Sequence, residues 1–198
     1  MKKIPTLFKR EFENGKVVGI TDEVYPGMEW VLEGKGVATI KWDGSCCAII
    51  DGVFYKRFDA KPGRKIPEGA IPCCEPDPIT GHHPHWVPVD FQSKADKWFV
   101  EAFNKYCRLN GGIAESGTYE AVGKHFNGNP YQRIYDILIP HGKTVAFLLE
   151  RSFEGIKEYL HAMPIEGIVF WLDGEPKCKI KRKDFGFRWP TRSNNDGT

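Results

Sequence analysis

Within residues 60–92 the chain reads KPGRKIPEGAIPCCEPDPITGHHPHWVPVD, and this stretch holds seven of its 14 prolines. Each proline fixes φ and lacks an amide hydrogen, so helix and central strand are both disfavoured. The segment is therefore expected to be a long ordered loop. Loops of this length inside compact domains are commonly functional.

Around that loop the pattern is mainly that of strands. Residues 36–42 (GVATIKW) alternate as a strand. CCAII, Asp51-Gly52 and VFYKRF then read as a hairpin, because Asp-Gly suits the tight primed turns that join twisted strands. After the prolines comes the clearest helix. Ser93 can cap it, Asp96 follows three residues on, and Trp98, Phe99, Ala102, Phe103 and Tyr106 form an apolar stripe. Strands are expected at 113–122, 132–139 and 144–149, and a short helix from Ser152 to before Pro164. A last hairpin comprises 165–172, a turn at Asp173-Gly174, and 177–182. The tail, 187–198, is polar and expected to be flexible. The fold class is α+β, with mainly antiparallel sheets and flanking helices.

The 198 residues suit a single domain, and the 41% hydrophobic and 13% aromatic fractions mark a globular chain. No apolar run is long enough to span a bilayer, so no membrane partner is expected. The N-terminus lacks the apolar stretch of a signal peptide, and the reading is of a cytoplasmic monomer. The six cysteines are then buried thiols, since a cytosolic chain keeps few disulfides. Zinc binding by Cys73, Cys74, His82, His83 and His85 is a minor alternative, as their spacing does not match the common ligand patterns.

The residues with chemistry recur in a fixed order. Lys41-Trp42-Asp43-Gly44 places an amine at a strand end just before a turn. A lysine amine is a poor nucleophile until desolvation or neighbouring positive charge activates it. Tyr55-Lys56-Arg57 ends the next strand with cations. Glu120 follows in Thr118-Tyr119-Glu120, then Tyr135-Asp136, then Glu166-Gly167-Ile168-Val169, and finally Lys177-Cys178-Lys179-Ile180-Lys181. Period two puts the three lysines on one face, with Cys178 and Ile180 toward the core. Such a cationic face near an acid suits phosphate and metal. Taken singly, each residue has a plainer reading: a surface lysine before a turn, a core tyrosine, a salt bridge or a solvated strand face. From Lys177 to Arg192 seven Lys or Arg face one acid, Asp184, with Trp189 and two phenylalanines interleaved. That composition fits a phosphate-backbone surface.

The order KxDG, basic residue, Glu, aromatic-Asp, EGIV and KxK resembles the covalent nucleotidyltransferase superfamily of DNA ligases, RNA ligases and capping enzymes. It spans about 70% of the chain, from Lys41 to Lys181. KWDGSCCAI, YKRFDAK, EPDPITGH, EGIVFW and KIKRKDFG look most like the short 5'-to-3' ATP-dependent RNA ligases of vertebrates, bacteria and phages. The resemblance implies a nucleotidyltransferase adenylation domain. Lys41 would attack the α-phosphate of ATP, and Asp43 would belong to the nucleotide site. Arg57 would contact phosphate with help from Lys56, Glu120 would hold the ribose hydroxyls, and Tyr135 would stack on adenine. Glu166 would serve a divalent metal, Mg²⁺ or Mn²⁺. Lys179 and Lys181 would neutralise phosphate, although Lys177-Cys178-Lys179 also fits KxK. The implied partners are ATP and RNA ends bearing 5'-phosphate and 3'-hydroxyl. Only 17 residues follow Lys181, so no OB domain is expected, which favours RNA over a minimal DNA nick ligase. A non-catalytic RNA- or nucleotide-binding relative is the other alternative.

Overall fold

Asp51 and Gly52 adopt φ of 49° and 78°, the left-handed pair that a primed two-residue turn requires. They join β4 (Ser45–Ile50) to β5 (Val53–Ala60), as the Asp-Gly signal predicts. Asp173-Gly174 does the same between β10 (Gly167–Leu172) and β11 (Glu175–Lys181). Asn14-Gly15 joins β1 (Phe8–Glu13) to β2 (Lys16–Val24). That first hairpin is absent from the expected elements, although its turn dipeptide belongs to the same class. The structure, a computed structural model, describes residues 3–189 and is α+β, mostly antiparallel, with few helices. The expected tail lies largely outside the described residues.

The chain folds as two compact units, one built from Asp43–His141 and the other from Ile4–Trp42 with Gly142 onward. The first unit carries a six-stranded antiparallel sheet. It adds β6 (Ile71–Pro72), β7 (His83–Pro88), β8 (Gly117–Val122) and β9 (Ile137–Pro140) to the first hairpin described, in the order β6-β7-β5-β4-β8-β9. Register alternates the two faces. Cys47, Ile49, Phe54, Tyr119, Ala121 and Leu138 share one face and pack into a core with helix α1 (Lys97–Leu109) through Ala102 and Tyr106. Ser93 caps the 3₁₀ turn that leads into α1, accepting a hydrogen bond from Ala95 N at 3.2 Å.

The proline-rich segment differs from the loop expected for 60–92, because β6 and β7 form inside it. Pro88 ends β7, Pro84 is its second residue, and β6 beside it is two residues long. Prolines are tolerated at strand ends and near sheet edges, where few ladder donors are missed. Pro84 still contributes its carbonyl, which accepts from Cys73 N at 2.9 Å.

The second unit holds a three-stranded sheet in the order β11-β10-β3, with β3 spanning Val37–Lys41. Helix α2 (Phe153–Ala162) packs on it, capped by Ser152, whose hydroxyl accepts from Gly155 N at 3.0 Å. Ile168, Phe170, Cys178 and Ile180 are fully buried between sheet and helix with Leu7, Phe8, Ile156 and Leu160. The expected strand 144–149 reduces to one bridge at Val145. Thr144 O accepts from Ile40 N and Ala146 N donates to Ala38 O, but Leu148 then takes φ 58°, which ends the extension. The expected strand from 132 begins only at Ile137, because Gln132 takes φ 52° and the Asn129 side chain holds both the amide and the carbonyl of Arg133.

Candidate functional site

In the second unit β10 is the central strand, and Gly167 pairs with Lys41 on one side and Lys181 on the other. Directly opposed residues share a face. Lys41, Gly167 and Lys181 thus form one row, and Thr39, Val169 and Lys179 the next. The opposite face is the apolar core, so packing fixes which face the lysines occupy. A Cβ on Gly167 would meet Ile180 O at 2.2 Å, so the tight approach of β11 requires glycine.

Glu166, immediately before Gly167, accepts from Lys41 on one carboxylate oxygen and from Lys181 on the other. The three side chains are 24%, 17% and 19% exposed for Lys41, Glu166 and Lys181, so the cluster is neither solvated nor sealed. Burial alone would raise the Glu166 carboxyl. The charges and hydrogen bonds of Lys41 and Lys181 outweigh it and hold the group below its usual value. Among the described residues Lys179 has no such partner at bonding distance. Burial, reinforced by the charges of Lys181 and Lys41, pulls it down to about 8. Lys177 stands apart, paired with Glu175 beyond a bulge at Phe170 and Trp171. The structure therefore groups Lys179 and Lys181 with Lys41 and leaves Lys177 apart.

The basic C-terminal run is also divided. Arg182 is buried and caps α2, donating to the carbonyls of Leu160, Met163 (3.0 Å) and His161 (3.2 Å). These carbonyls have no partner inside the helix. The Arg182 guanidinium is thus engaged at the end of α2. Arg192 lies outside the described residues.

In the first unit the remaining candidates separate by strand face. Lys56 pairs with Cys47, on the helix-facing side, and is tied to the carboxylate of Asp96, which also accepts from Asp90 N at 2.9 Å. Lys56 thus anchors the start of α1, which is not the phosphate contact the resemblance implies. Arg57 points to the other face and is held by Asp59 through Nε and Nη2 at 3.0 and 2.9 Å. Glu120 is 9% exposed and accepts from Gly44 N at 3.0 Å, while its second oxygen lies 3.1 Å from His141 Nε2. Asp43 donates its amide to Tyr131 Oη at 2.6 Å and accepts from Asn127. Gly44 is required here too, since a Cβ would stand 2.1 Å from Ala121 O.

Tyr135 is not grouped with Glu120. Its ring is met by Lys105 Nζ of α1 at 4.6 Å. Cys73, Cys74 and the histidines at 82, 83 and 85 form no group of three clustered ligand atoms among the described residues. The group that does form is Cys46, Glu120 and His141. His141, Asn127 and Tyr131 were not legible as site residues, because their partners are set by strand register and loop closure and not by any local pattern.

No protein-family model matches the chain. It is similar to RNA ligase 1 of Pongo abelii, at 26% identity over 96% of this chain and 82% of that protein. It is also similar to RNA ligase 1 of Rattus norvegicus, at 26% over 79% and 69%, and of Danio rerio, at 24% over 96% and 82%. Among the described residues no helix is long and apolar enough to cross a membrane.

Proposed function

We propose that the protein is an ATP-dependent RNA ligase of nucleotidyltransferase architecture that works through a lysyl-AMP intermediate on Lys41. The observation that carries this reading is the cluster of Lys41, Lys179 and Lys181 around Glu166 on one face of the second unit's sheet. The similarity to proteins named RNA ligase 1 supports the substrate class.

Three in-line displacements at phosphorus account for the reaction. The neutral Lys41 amine attacks the α-phosphorus of ATP, forming a P–N bond as the bond to pyrophosphate breaks, and its proton passes to solvent. A 5'-phosphate oxygen of RNA then attacks the phosphoramidate, releasing the reprotonated lysine and leaving AMP joined to the RNA end. A 3'-hydroxyl finally attacks that activated phosphate, expelling AMP and closing the strand while the hydroxyl proton passes to solvent. No step asks the protein for covalent chemistry beyond Lys41. Positioning and charge neutralisation dominate such catalysis. Lys179 and Lys181 would meet the charge on the phosphates. Glu120, a buried acceptor, suits ribose hydroxyls, and Arg57 suits a phosphate. Glu166 would hold Mg²⁺ or Mn²⁺ through its carboxylate, in exchange for its contacts with Lys41 and Lys181. Such an ion, when bound, would share the neutralisation of phosphate charge.

The test is incubation with α-labelled ATP and divalent metal, followed by a denaturing gel. A labelled protein band that is lost in Lys41→Ala, with folding retained by circular dichroism, is the expected result. A wild-type protein that never acquires label across metals refutes the mechanism. Comparing joining of single-stranded RNA with joining of nicked DNA tests the substrate, and activity on DNA alone refutes the RNA assignment.

A further inference from the structure

In the first unit, antiparallel pairing sets Cys46 of β4 directly opposite Glu120 of β8, so both side chains leave the same face of the sheet. His141 follows the end of β9, and its amide is tied back to Thr118 O at 3.0 Å. This returns the imidazole over β8, with Nδ1 3.0 Å from Thr118 Oγ1 and Nε2 3.1 Å from Glu120 Oε2. One donor atom from each of Cys46, Glu120 and His141 lies within 4.8 Å of the others.

We propose that Cys46, Glu120 and His141 form a three-ligand site for a thiophilic divalent cation of the Zn²⁺ class. The donor set is thiolate, imidazole and carboxylate, the ligand types zinc takes, and the sulfur disfavours Mg²⁺ and Ca²⁺. Tetrahedral bonds of about 2.0 to 2.3 Å place donor atoms roughly 3.3 to 3.8 Å apart. The His141–Glu120 separation of 3.1 Å opens slightly on binding, and a rotation of the Cys46 side chain supplies the remaining closure. The surroundings are prepared for this. When Nδ1–H of His141 donates to the Thr118 hydroxyl, the Nε2 lone pair is presented to the ion, which is the usual outer-shell device at histidine ligands. Glu120 meanwhile keeps Gly44 N on Oε1 at 3.0 Å, so Oε2 is available without releasing the backbone. Binding replaces the Cys46 S–H bond with a sulfur–metal bond, and the proton leaves to solvent. The fourth position is left for water.

Glu120 is also the carboxylate assigned above to the ribose. Resting on that reading, Zn²⁺ and nucleotide exclude each other, and Zn²⁺ opposes self-adenylylation.

The test uses the full chain after chelator treatment, titrated with Co²⁺ and then with Zn²⁺. A thiolate-to-Co²⁺ charge-transfer band that Zn²⁺ displaces is expected. It is absent in Cys46→Ala and in His141→Ala, and it is retained in Cys73→Ala. Thr118→Val, which removes only the hydroxyl behind His141, weakens binding by roughly 10- to 100-fold. No band in the folded wild type, or a band that follows Cys73 instead of Cys46, overturns the site. Zn²⁺ inhibition of labelling in wild type but not in Cys46→Ala supports the competition, and equal inhibition in both refutes it. The two proposals fail separately. A Cys46-dependent band in a protein that never takes up AMP leaves the metal site standing and removes the ligase reading; labelling without a band does the reverse.

Discussion

Replacing Glu166 with glutamine tests whether its carboxylate is what allows the lysine row to exist. The substitution keeps the shape and one acceptor but removes the charge that both Lys41 and Lys181 contact. Removing one partner of a buried ion pair costs about 3–5 kcal/mol; with these side chains 17–24% exposed and the amide still accepting one hydrogen bond, a smaller loss of about 2–3 kcal/mol is expected. The pH dependence has a definite sign. Glu166 is held below the ordinary carboxyl value, so its contribution is present above the unfolded pKa and is lost as pH falls through its lowered folded value. On the alkaline side the difference shrinks again, because Lys179, at about 8, loses its charge and relieves part of the repulsion left in the variant. Urea unfolding of wild type and Glu166→Gln, followed by tryptophan fluorescence from acid to alkaline pH, gives the difference directly. A gap that peaks near neutrality and narrows on both sides is expected. A gap below about 0.5 kcal/mol at neutral pH, within ordinary surface-substitution scatter, or one that does not change with pH, refutes the reasoning.

Wild-type stability should itself rise with pH once Lys179 deprotonates near 8, because the unfolded chain then binds the extra proton, and Lys179→Met should flatten that rise in the same titration. Gly167→Ala should displace β11 and destabilise the second unit, since a Cβ meets Ile180 O at 2.2 Å; unchanged thermal stability would contradict the close approach. Arg182→Met should expose α2 to faster amide exchange and cost about 2–4 kcal/mol through carbonyls left without their charged donor. Lys56→Met should cost about 3–5 kcal/mol in chemical unfolding by stranding the buried Asp96 carboxylate.

Much of the architecture was legible because its causes are local. Asp51-Gly52 and Asp173-Gly174 are turns by residue type, and the stripe from Trp98 to Tyr106 is helical by period. Cys178 and Ile180 fall on the core side of β11 by alternation alone. Where local logic failed, a distant partner intervened. Dense prolines argued against any strand at 83–88, yet β5 offers a pairing edge and the prolines sit where few donors are missed. Residues 144–149 alternate well enough, but Leu148 turns left-handed and the extension stops.

The candidate site divides in the same way. The sequence by itself determined that Lys41 precedes an Asp-Gly turn, that Glu166 and Gly167 lead an apolar strand, and that Lys179 and Lys181 share a face, because period and turn chemistry act over a few residues. Only the tertiary structure decided that Glu166 reaches Lys41 across 125 positions of sequence. It also decided that adjacent Lys56 and Arg57 serve opposite faces of one sheet, and that His141 rather than Tyr135 stands beside Glu120. Those outcomes depend on inter-strand register, which is fixed by burying whole faces against α1 and α2, and no short window of sequence contains that information.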